Sequence, residues 1–148
     1  GSGSLTVEIC NQIRSGTAYA IDFDEKAVEL TKLNLSRFRF KAEVILSDAQ
    51  DALPKLPQVN SIVIGGTWSN TRKIIEMAIS KLQTNGRLVI NTILIESAYD
   101  ALSTLYGAKL EEVYVTQVII SKSRKVTTGT MMLARNPVLI ISATKPTS

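Results

Sequence analysis

The chain has 148 residues, 45% of them hydrophobic and 20% charged, with a formal net charge of +4. Those proportions describe one soluble domain, residues 1–148, large enough to bury a core without disulfide staples. Histidine is absent and Cys10 is the single cysteine, which excludes Ser-His-Asp and Cys-His triads, a disulfide framework and the usual zinc-ligand sets, so no metal is expected. No apolar run approaches the ~20 residues of a membrane span and no signal-peptide pattern stands at the start, so a cytoplasmic protein is expected.

The elements alternate along the chain. Apolar residues at helical spacing (Leu5, Ile9, Ile13) predict a first helix stopped by Gly16. "TAYAID" reads as a short buried strand, after which Asp24 can cap a helix over 25–38 with Ala27, Leu30 and Leu33/Asn34 on related faces. "AEVILSD" is a strand, "ALPKLP" a proline-broken connection, and "NSIVIGG" a strand ending in two glycines. A helix is predicted over 70–86 with Asn85-Gly86 as its stop, then a strand over 87–94 and a helix over 96–107 ending at Gly107. The last third holds two long β-rich runs, "KLEEVYVTQVIIS" and "GTMMLARNPVLIISA", with no helix between them. Strands alternating with helices imply a parallel sheet, and the closing pair implies an antiparallel edge.

Charge is unevenly placed. Residues 113–148 carry Lys122, Arg124, Lys125, Arg135 and Lys145 and no acid, whereas the first 112 are close to neutral. Such asymmetry is compatible with an anionic partner or with a solvated basic hairpin. The opening "GSGS" is equally two-sided: a flexible stub left by cloning, or the second half of a glycine-rich nucleotide loop.

This order of elements resembles the Rossmann-like class I methyltransferase fold dependent on S-adenosylmethionine (SAM): a mostly parallel sheet with a C-terminal antiparallel strand pair. The resemblance places the first strand of that fold before Gly1. It also makes Gly1, Ser2 and Gly3 the tail of the cofactor loop, where glycine permits close backbone approach. Asp22 follows Gly3 by 19 residues at a strand end, the spacing at which an acid accepts the ribose hydroxyls. A helix cap is the other role open to Asp22, although Asp24 suits that role better. Asp48 and the Ala49 backbone N–H would hold the adenine, an ordinary turn aspartate being the alternative. Gly65 would lie beside the methyl donor. The Asn/Asp-Pro-Pro-Tyr motif of amino-directed nucleic-acid methyltransferases is absent.

"YAIDFDEKAVELTKLN", "SDAQDALPKLP", "IVIGGT", "GRLVINTILIES" and "TGTMMLARNPVLI" together resemble, over nearly the whole chain, the decarboxylating precorrin methyltransferases of the cobalamin pathway, which methylate carbon 15. The resemblance implies a polyanionic tetrapyrrole substrate, held by Lys122, Arg124, Lys125 and Arg135 with Thr128, Gly129, Thr130 and Met131, beside Gly66 and Thr67. Trp68 and the two methionines Met131 and Met132 can line the macrocycle, although core packing is the ordinary fate of methionines. Glu96 matches an acid of the family and is the weak candidate for a catalytic group; a helix cap is its alternative. Family members form homotetramers, and the apolar 113–121 edge is the expected subunit contact. Two rivals share the fold signals: an RNA methyltransferase, favoured by the basic C-terminal third but opposed by only 5% aromatic residues for base stacking, and a non-catalytic nucleotide-binding module. No nucleic acid or membrane partner is expected.

Overall fold

The computed structural model describes residues 1–66 and 70–147. The chain forms two compact units, Gly1–Leu56 and Pro57–Ser148.

The first unit contains α1 (Ser4–Gln12), β1 (Tyr19–Asp22), α2 (Glu25–Phe38), β2 (Glu43–Leu46) and the single turn α3 (Ala49–Ala52), followed by a 3₁₀ turn at Leu53–Lys55. β1 and β2 run parallel, from Tyr19 opposite Glu43 to Asp22 opposite Leu46. Local chemistry sets both ends of α2. The Asp24 carboxylate accepts from the Lys26 N–H at 3.0 Å, and Arg39, in the left-handed region at φ 59°, closes the last turn. Its buried face is Ala27, Val28, Thr31 and Leu35, one step round from the expected stripe, and Leu30 and Leu33 are exposed. α1 differs similarly. Val7 is its buried residue, while Leu5 and Ile13 are exposed. In helices this short, apolar spacing leaves more than one face to choose from, and the neighbour decides.

The second unit contains β3 (Val59–Gly65), α4 (Thr71–Lys81), β4 (Leu82–Thr92), α5 (Ile95–Gly107), β5 (Glu111–Val118), β6 (Ser121–Val126), β7 (Gly129–Ala134) and β8 (Val138–Thr144). Its main sheet has the order β3-β4-β8-β5. β3 and β4 are parallel, and β8 is antiparallel to both of its neighbours. The core gathers Ile75 and Ala78 of α4, Ala101 and Leu105 of α5, Leu88 and Ile90 of β4, and Ile141 of β8, all essentially inaccessible to solvent.

Two expectations are corrected here. α4 stops at Lys81, five residues before Gly86, and residues 82–86 already belong to β4. The cause lies far away in sequence: the Lys145 ammonium donates to the carbonyls of Ile79 (3.0 Å) and Leu82 (2.7 Å), satisfying the end of the helix. Asn85, at φ 61°, then turns the chain, and its N–H donates to the Lys145 carbonyl at 2.9 Å. Gly86 is pressed between backbones, since a Cβ there would sit 2.8 Å from the Gln83 carbonyl and 3.0 Å from that of Asn60. In the last third, the first β-rich run holds β5, the second splits into β7 and β8, and β6 forms between the two runs. β5 and β8 close the sheet, while among the described residues β6 and β7 pair only with each other, as an arm exposed along all its residues.

Candidate functional site

The first unit brings Gly1 and Asp22 together: the terminal amine of Gly1 donates to Asp22 Oδ2. Asp22 Oδ1 accepts from the Asp24 N–H at 3.0 Å. Burial alone raises the Asp22 carboxyl, but the hydrogen bond and charge of the Gly1 amine and the N–H groups of Asp24 and Phe23 outweigh it and hold the group below its ordinary value near 3.8. Asp24 occupies the cap of α2, which leaves the neighbouring Asp22 at the strand's C-terminal end, the position from which a ribose is bound in open α/β sheets.

The glycines of the opening segment have different physical reasons. Gly1 faces open space, with no atom within 4 Å of where a Cβ would stand. Gly3 sits at φ +75°, and a Cβ would meet Thr31 Cα at 2.6 Å. Its missing side chain is what lets α1 lie against α2, the packing role of a glycine in nucleotide-binding turns. The Ser2 carbonyl accepts from Asn34 Nδ2 at 2.8 Å, tying the segment down. Asp48 is the N-cap of α3 and accepts from the Gln50 N–H at 2.7 Å, so this carboxylate already has a structural task, with Ala49 as the first residue of the turn.

In the second unit, β3 ends in exposed Gly65, and Gly66 just past it takes the left-handed region at φ 58° with open space where a Cβ would stand. Thr67 and Trp68 lie outside the described residues. Glu96 lies in the first turn of α5, not at its cap, which is Leu94 without a side-chain hydrogen bond. There it favours the helix dipole.

The arm collects most of the expected substrate residues. Lys122 and Arg124 alternate along β6 opposite Leu133 and Met131, and Lys125 stands opposite Thr130. Lys122, Arg124 and Arg135 line an open concavity of ≈ 510 Å³ with Ser123, Leu133 and Ala134. Thr128 and Gly129 form the tight end of the hairpin. Met131 and Met132 are exposed, which corrects the expectation that they pack in a core. Lys145 does not belong to this basic group, because its ammonium is spent on α4. One polar residue escapes sequence reasoning altogether: Asn91, near the end of β4, whose buried Oδ1 has no partner among the described residues. The signal that could have found it is an asparagine in a run of strand formers.

A parallel strand pair continued by an antiparallel strand, with glycines and an acid at strand ends, defines a Rossmann-like methyltransferase of class I. The chain belongs to the precorrin methyltransferase domain family, whose sequence model matches residues 1–145. It is 40% identical over 151 aligned positions to a Sulfurisphaera tokodaii protein named "Probable cobalt-precorrin-6B C(15)-methyltransferase (decarboxylating)", covering 99% of this chain and 77% of that one. The crystal structure of precorrin 8W decarboxylase from Methanobacterium thermoautotrophicum superposes with a TM-score of 0.86 at 32% identity, covering 97% of this chain and 76% of the other. A Geobacter metallireducens precorrin-6y C5,15-methyltransferase does so with a TM-score of 0.87 at 26% identity, covering 98% and 77%.

Proposed function

We infer that this chain methylates carbon 15 of a precorrin with S-adenosylmethionine and promotes loss of an acetate carboxyl as carbon dioxide, a step of cobalamin biosynthesis. The observation that carries the inference is the family match across residues 1–145, which spans both units and supports treating them as one methyltransferase domain. No helix among the described residues is long and apolar enough to cross a membrane, in keeping with a cytoplasmic enzyme.

The residues present fit the cofactor. Asp22 is an ionised acceptor at a strand end, Gly1 leaves open space beside it, and Ser2 and Gly3 hold the segment against α2. Asp48 and Ala49 serve the adenine in this assignment, and Gly65 the donor end. When bound, S-adenosylmethionine supplies an activated methyl on a sulfonium. Little acid-base chemistry is then asked of the chain, whose task is to hold an electron-rich ring carbon in line with that methyl. Gly66, Thr67 and the arm residues Lys122, Arg124, Lys125, Thr128, Gly129, Thr130, Met131 and Arg135 would bind the macrocycle, the cations facing its acetate and propionate rim. Glu96 stays the weak candidate for a catalytic group.

The reading includes a homotetramer. β5 is the outer strand of the sheet, Tyr114, Val115, Ile119 and Ile120 are exposed on it and just past its end, and among the described residues the strands of the arm pair only with each other. Exposed apolar edges of this kind favour strand or face pairing between copies; a monomeric mass in solution scattering would overturn this part.

The test is titration of the full-length protein with S-adenosylhomocysteine and with uroporphyrin III, a tetrapyrrole fringed with acetates and propionates. Both should bind. Reversing two cations (Lys122→Glu with Arg124→Glu) should weaken uroporphyrin about tenfold or more and leave S-adenosylhomocysteine unchanged. Failure to bind S-adenosylhomocysteine refutes the enzyme reading. An unchanged uroporphyrin affinity in the double variant refutes the role given to the arm.

A further inference from the structure

Asn91 sits near the C-terminal end of β4, in register with Gly65 of β3 on one side and Ile140 of β8 on the other. Along β4, Leu88 and Ile90 are buried in the core with α4 and α5, so alternation turns Val89 and Asn91 to the opposite face of the sheet. The Asn91 carboxamide oxygen is buried with no hydrogen-bond partner among the described residues, whereas its amide nitrogen is not among the buried unpartnered atoms. Asparagine is a poor strand former, and a buried carbonyl without a donor destabilises the fold. An apolar side chain of the same shape would serve folding better, so folding does not account for this residue.

Position does. Open α/β sheets bind their ligands beyond the carboxyl ends of the parallel strands, and Asn91 is at that end of the β3–β4 pair. Its neighbour Thr92 is already engaged, its hydroxyl accepting from the Leu94 N–H at 3.1 Å. Just beyond, Ile93, Leu94 and Ile95 are exposed, an apolar ledge at the same strand exit. With the oxygen turned inward, the group left to meet a ligand is a neutral N–H donor beside an apolar surface. That pairing suits a molecule with a broad apolar face and a carboxylate rim.

We propose that Asn91 is a substrate-binding residue whose Nδ2 donates a hydrogen bond to a peripheral carboxylate of the tetrapyrrole. The proposal rests on the function inferred above. It predicts an inversion of the usual rule for buried asparagines, namely that removing the amide leaves stability intact and costs ligand.

The experiment compares the full-length protein with Asn91→Leu and Asn91→Asp, by titration with uroporphyrin III and with S-adenosylhomocysteine and by thermal unfolding. Asn91→Leu should weaken uroporphyrin about tenfold, one hydrogen bond's worth of affinity, with an unfolding midpoint equal to or above the parent. Asn91→Asp should weaken it further, because a carboxylate then faces a carboxylate. S-adenosylhomocysteine should bind all three alike. Uroporphyrin affinity unchanged in Asn91→Leu overturns the proposal, as does a lowered midpoint with loss of both ligands, which marks a structural residue. Loss of S-adenosylhomocysteine alone assigns Asn91 to the cofactor and overturns it equally. A parent protein that binds S-adenosylhomocysteine but not uroporphyrin refutes the substrate class itself, and this proposal with it.

Discussion

Gly3→Ala tests whether the opening glycines serve packing or the cofactor. At φ +75° an alanine costs about 1–2 kcal/mol relative to glycine, and its Cβ would stand 2.6 Å from Thr31 Cα, an overlap with helix backbone that adds about 1–3 kcal/mol. The full sum is not expected in a global measurement, because α1 can undock instead. What holds α1 is the burial of Val7, worth roughly 2 kcal/mol, and the Asn34–Ser2 hydrogen bond, worth about 1 kcal/mol. The observed loss should therefore saturate near ~3 kcal/mol, the sum of those two contributions. Urea unfolding reads the global part, and amide exchange over Ser4–Gln12 reads the local part. Gly1→Ala, with open space around its Cβ, is the matched control: stability within about 0.5 kcal/mol of the parent, but weaker binding of S-adenosylhomocysteine. If Gly3→Ala is as stable as the parent and α1 keeps its exchange protection, the packing argument is wrong.

Two further outcomes follow from named contacts. Asp22→Asn should weaken S-adenosylhomocysteine about tenfold at neutral pH, through loss of a charge-assisted acceptor. Since the folded Asp22 carboxyl is held below its ordinary value near 3.8, its contribution to stability is complete above that value and is lost only as pH falls through the lower folded one. The stability gap between parent and variant should thus be flat at neutral pH and close in acid; a gap that opens in acid would contradict the sign. Lys145→Met keeps the stem but removes the ammonium from the carbonyls of Ile79 and Leu82, and should cost about 1.5–3 kcal/mol in urea unfolding without altering uroporphyrin binding. An unchanged unfolding midpoint would show that α4 needs no such cap.

The chain's own residues announce what depends on near neighbours. Asp24 caps α2 from the adjacent position, Gly66 marks the end of β3, and the alternation of strands and helices predicts the parallel pairs, because capping and periodicity act within a few residues. The family, too, was legible, in short segments spread along the chain and matched over residues 1–145.

Contacts distant in sequence decided the rest. Asn85-Gly86 looks like a helix stop, yet α4 ends earlier because Lys145 caps it across 66 and 63 positions. Gly3 reads as a cofactor glycine, and the fold adds a packing demand that the sequence does not show, since Thr31 is what its Cβ would strike. Two β-rich runs give no sign that β5 and β8 enter the sheet while β6 and β7 stand apart, since pairing is settled by register and burial. Asn91 is one polar letter in an apolar strand until the fold leaves its oxygen buried without a donor. Sequence periodicity specifies elements and some of their ends; only three-dimensional packing can say which polar groups are satisfied and which are left for a ligand.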